Sequence, residues 1–468
     1  MNLDLAPSLQ ALSPAVENLF SLAAKKITAL DKAWDTAKGT PVFTVEGTYT
    51  SRGWTEWTQG FQFGMPLLTF DATGDKKMLE LGRSKTLKHM LPHVTHSGVH
   101  DHGFNNLSTY GNLRRLMLEK RIPANEWEQE TCATALKCSG AVQAMRWSGV
   151  NASKPSPHSA NSNALGYVYS FNGPHSLFVD TMRTIRIMGL AWQLGHVLMH
   201  ENDKKASLLK RSVLHALATS QYIVFHGDST HTYDVAGRTS HEAVFNRNDG
   251  NFRCRATQQG YSPFSTWTRG LAWAVVGYAE ELEFIKGIPA GVFKSEVGLE
   301  KAAVVEVYLR CARQTAEHYM NEVAAADGIP YWDDGAPNLH KISDWKSRSS
   351  DPYNDHEPID SSAAAIAAQG LLRLGNYLGK TAGKRYTQAA LLIARTLFAE
   401  PYLSTDPKHQ GLILHSIYHR PNNWDHVPKG KKIPCGESSM WGDYHALELA
   451  LLLYRAAKNE AYITFFDR

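Results

Sequence analysis

Residues 257–286 read TQQGYSPFSTWTRGLAWAVVGYAEELEFIK. The first ten are rich in turn formers, Gly260 and Pro263 among them, and mark a loop. From Trp267 onward apolar residues recur at three- and four-residue spacing, which predicts a helix over 267–286. The same alternation of turn signals and helical spacing repeats along the chain. It predicts helices over 14–34, 55–70, 75–90, 104–120, 123–147, 177–200, 204–225, 297–322, 361–378, 384–398 and 440–457. Ser13 ahead of Pro14 is expected to cap the first of them. Strand-like pieces are few and short, near 42–50, 231–235 and 413–418. About a dozen helices without a heptad repeat predict an all-α fold of helical hairpins stacked around a centre. No long linker interrupts residues 1–468, so one domain is expected. Two irregular stretches, 149–173 and 327–358, are long enough to be functional or mobile loops.

Composition narrows the function. With 468 residues, 43% hydrophobic and 20% charged, the chain is an ordinary globular protein rather than a disordered one. A net charge of +4 is too small to argue for a nucleic-acid partner, and the basic run Lys429, Lys431 and Lys432 reads as a solvated loop, with a sulfate contact as the alternative. No stretch nears the roughly 20 apolar residues of a membrane span, so no membrane partner is expected. The opening MNLDLAPSLQALSPAV has neither a basic nor a long apolar region, which points to the cytoplasm. Five cysteines, with no CxxC pair, argue against a disulfide framework or a thiolate zinc site. Aromatic residues at 10% suit a cleft for sugars as well as a core. No dinucleotide, P-loop, HExxH or GxSxG motif is present.

Four stretches carry candidate chemistry. HVTHSGVHDHGF holds His93, His96, His100, Asp101 and His102, read either as polar loop residues around a positioned acid or as metal ligands. Gly103 behind them would let a substrate approach the backbone. Asp180 sits amid apolar residues in SLFVDTMRTIRIMGLAW, as a helix cap or as a carboxyl held protonated for general acid work. Gln259, Trp267, Arg269 and Trp273 combine a rigid cationic fork with indoles able to stack on a sugar. The alternative for them is a core tryptophan pair with a structural Arg–Asp bridge. Trp441, Asp443 and Tyr444 open the last helix, where packing and capping compete with a site role.

Taken in order, these blocks resemble the unsaturated glucuronyl hydrolases of glycoside hydrolase family 88. GWTEWTQGFQFGM, HDHGF, FVDTM, QQGYSPFSTWTRGLAWAVVGYAE, DSSAAAIAAQGLLRL and SMWGDYHALELAL each look like a family block, and together they run from Trp54 to Arg455. The resemblance implies an (α/α)6 barrel, a six-hairpin toroid. It implies a substrate carrying a 4,5-unsaturated uronic acid at the non-reducing end of lyase-generated oligosaccharides, and hydration of its vinyl ether without cofactor or metal. Asp180 then matches the general acid/base, its pKa expected raised, and Asp101 the second essential carboxylate. Trp57, Gln259, Arg269, Trp273 and His231 match residues lining the site, with Trp147 a further indole. Arg269 or the local histidines are the expected partners of the substrate carboxylate. His102, Gln62 and the longer segments 149–173 and 238–255 depart from the family pattern and are expected beside the cleft. The rivals are a family 105-type hydrolase of unsaturated rhamnogalacturonan or ulvan fragments, a metal-dependent enzyme using His93–His102, and a non-catalytic sugar-binding barrel.

Overall fold

The computed structural model describes residues 1–52, 56–151 and 165–466. Twelve main helical segments alternate between an outer and an inner layer. The outer ones are α1 (Ser13–Ala33), α3 (Lys76–His89), α5 (Glu126–Met145), α7 (Leu208–Tyr222), α9 (Lys301–His318) and α11 (Lys384–Leu397). The inner ones are α2 (Gln59–Thr73), α4 (His102–Asn106, a π-turn Leu107–Gly111 and Asn112–Leu118), α6 (Thr181–Thr184 with Arg186–Gln193), α8 (Thr268–Lys286), α10 (Ser361–Ala382) and α12 (Met440–Ala457). Each inner segment packs on the next, and α12 returns to α2, so the ring closes. This is the all-α, (α/α)6 barrel that the spacing and the resemblance predict.

The two layers differ as their sequences require. The outer helix α11 buries one face, with Ala390, Ile393, Ala394 and Leu397 inward and Lys384, Arg385 and Gln388 turned outward or half-buried. The inner helix α8 is apolar nearly all round and buried from Thr268 to Leu282. Inner helices approach one another at glycines. A β-carbon at Gly103 would lie 2.2 Å from the Thr184 carbonyl oxygen, at Gly277 2.6 Å from that of Met182, and at Gly370 2.6 Å from the Val276 nitrogen. Gly103 is therefore fixed by helix packing, not by substrate approach.

Short antiparallel strands decorate the barrel: β1 (Phe43–Val45) with β2 (Thr48–Thr50), β3 (Trp147–Gly149) with β4 (Gly166–Val168), β5 (Ser176–Phe178) with β8 (Glu242–Phe245) and β9 (Phe252–Ala256), and β6 (Leu198–Met199) with β7 (Lys205–Ala206). The expected strand at 42–50 is the first hairpin, whereas 231–235 and 413–418 are irregular. The expected helix over 177–200 is instead strand β5, two short helices and strand β6. Ser13 is not the cap of α1: a 3-10 turn, Gln10–Leu12, runs straight into the helix, and Leu12 takes the cap position without a side-chain bond. Among the described residues no helix is long and apolar enough to cross a membrane.

Candidate active site

The inner helices all begin at one end of the barrel, and a cavity of about 600 Å³ opens there. Its lining comes from the starts of these helices and the loops leading into them. Trp57 precedes α2, Asp101 precedes α4, Asp180 precedes α6, and Gln259, Trp267, Arg269 and Trp273 belong to the approach and first turns of α8. Helix amino termini carry partial positive charge, so this end of the barrel suits an anionic ligand.

Asp180 occupies the cap position of α6, yet its side chain caps nothing. It faces the cavity, with its Oδ2 3.5 Å from Nε2 of His241. His241 Nδ1 accepts the backbone N–H of Gln258 at 2.9 Å, so the ring proton sits on Nε2, toward Asp180. The sheet makes this possible. Phe178 on β5 pairs with Glu242 on β8, and Val179 N–H donates to the His241 carbonyl at 3.0 Å. The ring of His241 is buried against Phe178 and Trp267.

Asp101 is buried beside the same cavity. Burial, and then the charge of Asp180, push its carboxyl up to about 7, against the opposing pull of Arg146. Arg146 does not contact it as an ion pair; its guanidinium donates to the carbonyls of Ser97, Tyr169 and Ser170. His100 lies 3.8 Å from Asp101, and burial drives its imidazole down to about 3, so it is neutral. Burial and the neighbouring charge thus dispose Asp101 to keep a proton near neutral pH.

Arg269 lines the cavity but is spent on the protein. It donates to Asp360 at 3.0 Å, to Gln259 at 2.9 Å, to the Tyr418 carbonyl at 2.7 Å and to the Ile417 carbonyl, between the rings of Trp267 and Trp441. The structural Arg–Asp bridge is the reading that holds for its terminal nitrogens, and Arg269 positions Gln259 and the 417–418 turn. Trp57 stacks on Trp441 at 5.0 Å, and Trp273 packs on Phe104 at 4.7 Å, so both indoles present fixed walls. In the last motif, Asp443 accepts from Tyr49 and from the backbone of Leu412 and Ile413, which is packing and capping.

Two expected lining residues lie elsewhere. His231 is exposed, stacked on Tyr233 at 4.9 Å, and does not line the cavity. The histidine beside Asp180 is His241, ten residues on. Trp147 is on β3, half-buried under Arg211, and also outside the lining. The segment that follows it, 152–164, lies outside the described residues, as does Trp54. The longer segment 238–255 is the β8–β9 hairpin approach that delivers His241. His102 turns away from the cleft, bonded to Ser139 at 2.8 Å and the His96 carbonyl at 3.0 Å, and His93 bonds Gln59 at 2.7 Å. Gln62 is buried in α2 away from the cavity. Among the described residues no group of three or more His, Cys, Asp or Glu could hold a metal. Lys432 pairs with Asp355 at 3.0 Å and Lys431 sits over Tyr353, away from the cleft.

Sequence reasoning missed the loop carrying Tyr418, His419, Asn422 and Trp424, all of which line the cavity. Asp425 pins this loop by accepting the backbone N–H groups of Tyr418 and His419. Its cluster of aromatic and polar residues in SIYHRPNNWDH was the available signal.

The barrel with an aromatic-walled acidic cleft at its amino-terminal end belongs to the (α/α)6 class. No family model matches the chain. A curated unsaturated glucuronyl hydrolase of Formosa agariphila is 31% identical over 228 residues, 48% of this chain and 46% of the relative. The chain thus spans about half the length of that relative. The unsaturated glucuronyl hydrolase of Bacillus sp. strain GL1 is 24% identical over 417 residues, 87% of this chain and 89% of the relative. A crystal structure of an unsaturated glucuronyl hydrolase specific for heparin superposes with a TM-score of 0.68 at 19% identity, over 95% of this chain and 98% of that one. The chain is thus similar in sequence to curated unsaturated glucuronyl hydrolases and shares the fold of their solved structures.

Proposed function

We propose that the chain, as one catalytic barrel, removes a 4,5-unsaturated uronic acid from the non-reducing end of oligosaccharides left by polysaccharide lyases. The observation that carries this reading is the carboxyl pair Asp101 and Asp180 on one aromatic-walled cavity, with Asp101 pushed up to about 7 by burial and by its neighbour. Protonating an enol ether carbon needs a carboxyl that still holds its proton near neutral pH, and two acids facing one another supply one proton between them. The proton of the pair rests on Asp101, passes to Asp180 as substrate binds, and goes from Asp180, on the cavity wall 3.5 Å from Nε2 of His241, to C4. The C4=C5 bond is lost, a C4–H bond forms, and the positive charge at C5 is shared with the ring oxygen. Water adds at C5 and returns its proton to the Asp180 carboxylate. The hemiketal formed at C5 opens, and the saccharide at C1 is released.

The substrate carboxylate meets the helix amino termini and the neutral donors of the cleft, Gln258, Gln259 and Asn422, since the terminal nitrogens of Arg269 are already engaged. The half-buried indole of Trp57 offers the sugar ring an aromatic wall, and Trp273 backs the cavity from within the core. The five cysteines are all unpaired, which suits the reducing cytoplasm as the place of reaction. The test is a panel of unsaturated disaccharides, sulfated and unsulfated, followed by loss of the ultraviolet absorbance of the conjugated acid. Turnover by the natural protein and a fall of about 100- to 10,000-fold in kcat for Asp180→Asn, with the fold retained, is the expected result. An Asp180→Asn protein of full activity overturns the assignment.

A further inference from the structure

The cleft wall continues outward as a strip of exposed and half-buried rings. Loop 260–266 joins Gln259 to Trp267, and both of its ends line the cavity. Its backbone is tied down: Gly260 N–H donates to Thr257 at 2.9 Å, Tyr261 N–H to Asp333 at 2.8 Å, and Thr266 N–H to Asp334 at 2.6 Å. Asp333 and Asp334 come from the long irregular stretch 327–358, which thereby acts as a brace for this loop. On so fixed a backbone, Tyr261 and Phe264 are nevertheless 52% and 45% exposed. Phe264 packs on Tyr233 at 4.6 Å, and Tyr233 stacks on His231 at 4.9 Å with the rings only 8° apart. Phe225 supports Tyr233 edge-on from beneath. Large rings left half in water on a braced loop gain no folding free energy from that exposure. They do gain from the C–H face of a pyranose ring, by the same contact that packs aromatics in cores.

We propose that Tyr261, Phe264 and Tyr233 form a platform for a saccharide unit beyond the bond that is cleaved, so that chains longer than a disaccharide are held more tightly. This rests on the reading of the cleft as a uronyl hydrolase site. It also gives His231 a place, at the outer end of the strip instead of beside the carboxyls.

The test compares unsaturated di- and tetrasaccharides of the polysaccharide that the panel selects, in the natural protein and in the double variant Tyr233→Ala/Phe264→Ala. Phe264 is exposed and Tyr233 half-buried, and an unchanged thermal midpoint serves as the folding control. The expected result is a five- to tenfold rise in KM for the tetrasaccharide and a change of less than twofold for the disaccharide. Equal effects on both substrates, or no effect on either, overturn the platform. A second measurement keeps the two readings apart. Calorimetric binding of the tetrasaccharide to Asp180→Asn, with and without the double substitution, is expected to weaken five- to tenfold. If the natural protein consumes none of the panel, the catalytic reading fails, while the binding comparison, run with the tetrasaccharide of each panel polysaccharide, still decides the platform. An unchanged Kd, or no binding at all, overturns it.

Discussion

Two groups of buried acids in the inner ring are treated in opposite ways. Glu280 on α8 and Glu448 on α12 lie deep in the ring, among Arg183 and Arg186 of α6 and Arg373 of α10. Arg186 meets Glu280 at 2.9 Å, Arg183 meets Glu448 at 3.3 Å, and Arg373 meets Glu283 at 2.8 Å. Burial pushes the Glu448 carboxyl up, but the guanidinium groups of Arg183, Arg186, Arg373 and Arg115 outweigh it and hold the group below its ordinary range. At the cleft, three residues before Arg183, the balance reverses. Asp180 faces a histidine, and the guanidinium nearest Asp101 in effect is turned onto backbone carbonyls. Inside the ring guanidinium groups pack against Glu448, whereas at the cleft, among the described residues, no arginine forms an ion pair with Asp101.

That contrast can be broken from either side. The largest effect is expected from Arg183→Met. It leaves Glu280 and Glu448 buried with a partner missing and should cost about 3–5 kcal/mol, read from urea unfolding. Next is Asp101→Asn. A carboxyl whose folded pKa is raised above its unfolded value costs stability once pH climbs from about 4 through about 7, so removing it should stabilise the protein at pH 8 and not at pH 4. The gain should be on the order of 2–4 kcal/mol, measured as the difference between unfolding curves at the two pH values. A third outcome is kinetic. If the pair must hold a proton, kcat/KM is level below about pH 7 and falls roughly tenfold per unit above it, with the limb set by the pair. Smallest is Ser139→Ala, which removes the hydroxyl bonded to His102. It should cost about 1 kcal/mol in stability and leave turnover within twofold, since His102 faces helix α5. A large loss of turnover would return the histidine cluster to the reaction.

Much of the barrel is legible in the sequence because helix spacing is local. The helix expected over 440–457 is α12 to the residue, and that over 384–398 is α11 within one. The segment 177–200 misled because it is apolar on every side. Such a run fits a buried strand and a buried helix equally, and here it is both, with Asp180 at the junction. His231 and His241 show the same limit in the site. Each sits among hydroxyl residues, in STHT and TSHE, and only the pairing of β5 with β8 brings one of them to Asp180. That pairing joins residues more than sixty apart, which no local pattern reports. The loop of Tyr418, His419 and Trp424 was missed for a related reason, since its shape is held by Asp425 and Arg269 rather than by any periodicity.

The glycine contacts between inner helices have a consequence for how such a protein can change. At Gly103 and Gly277 there is no room for even a methyl group between neighbouring staves, so the bore of the ring cannot be widened or narrowed by gradual side-chain exchange. New ligands can be accommodated only by redrawing the connections at the rim, which leaves the staves as a frame of constant width.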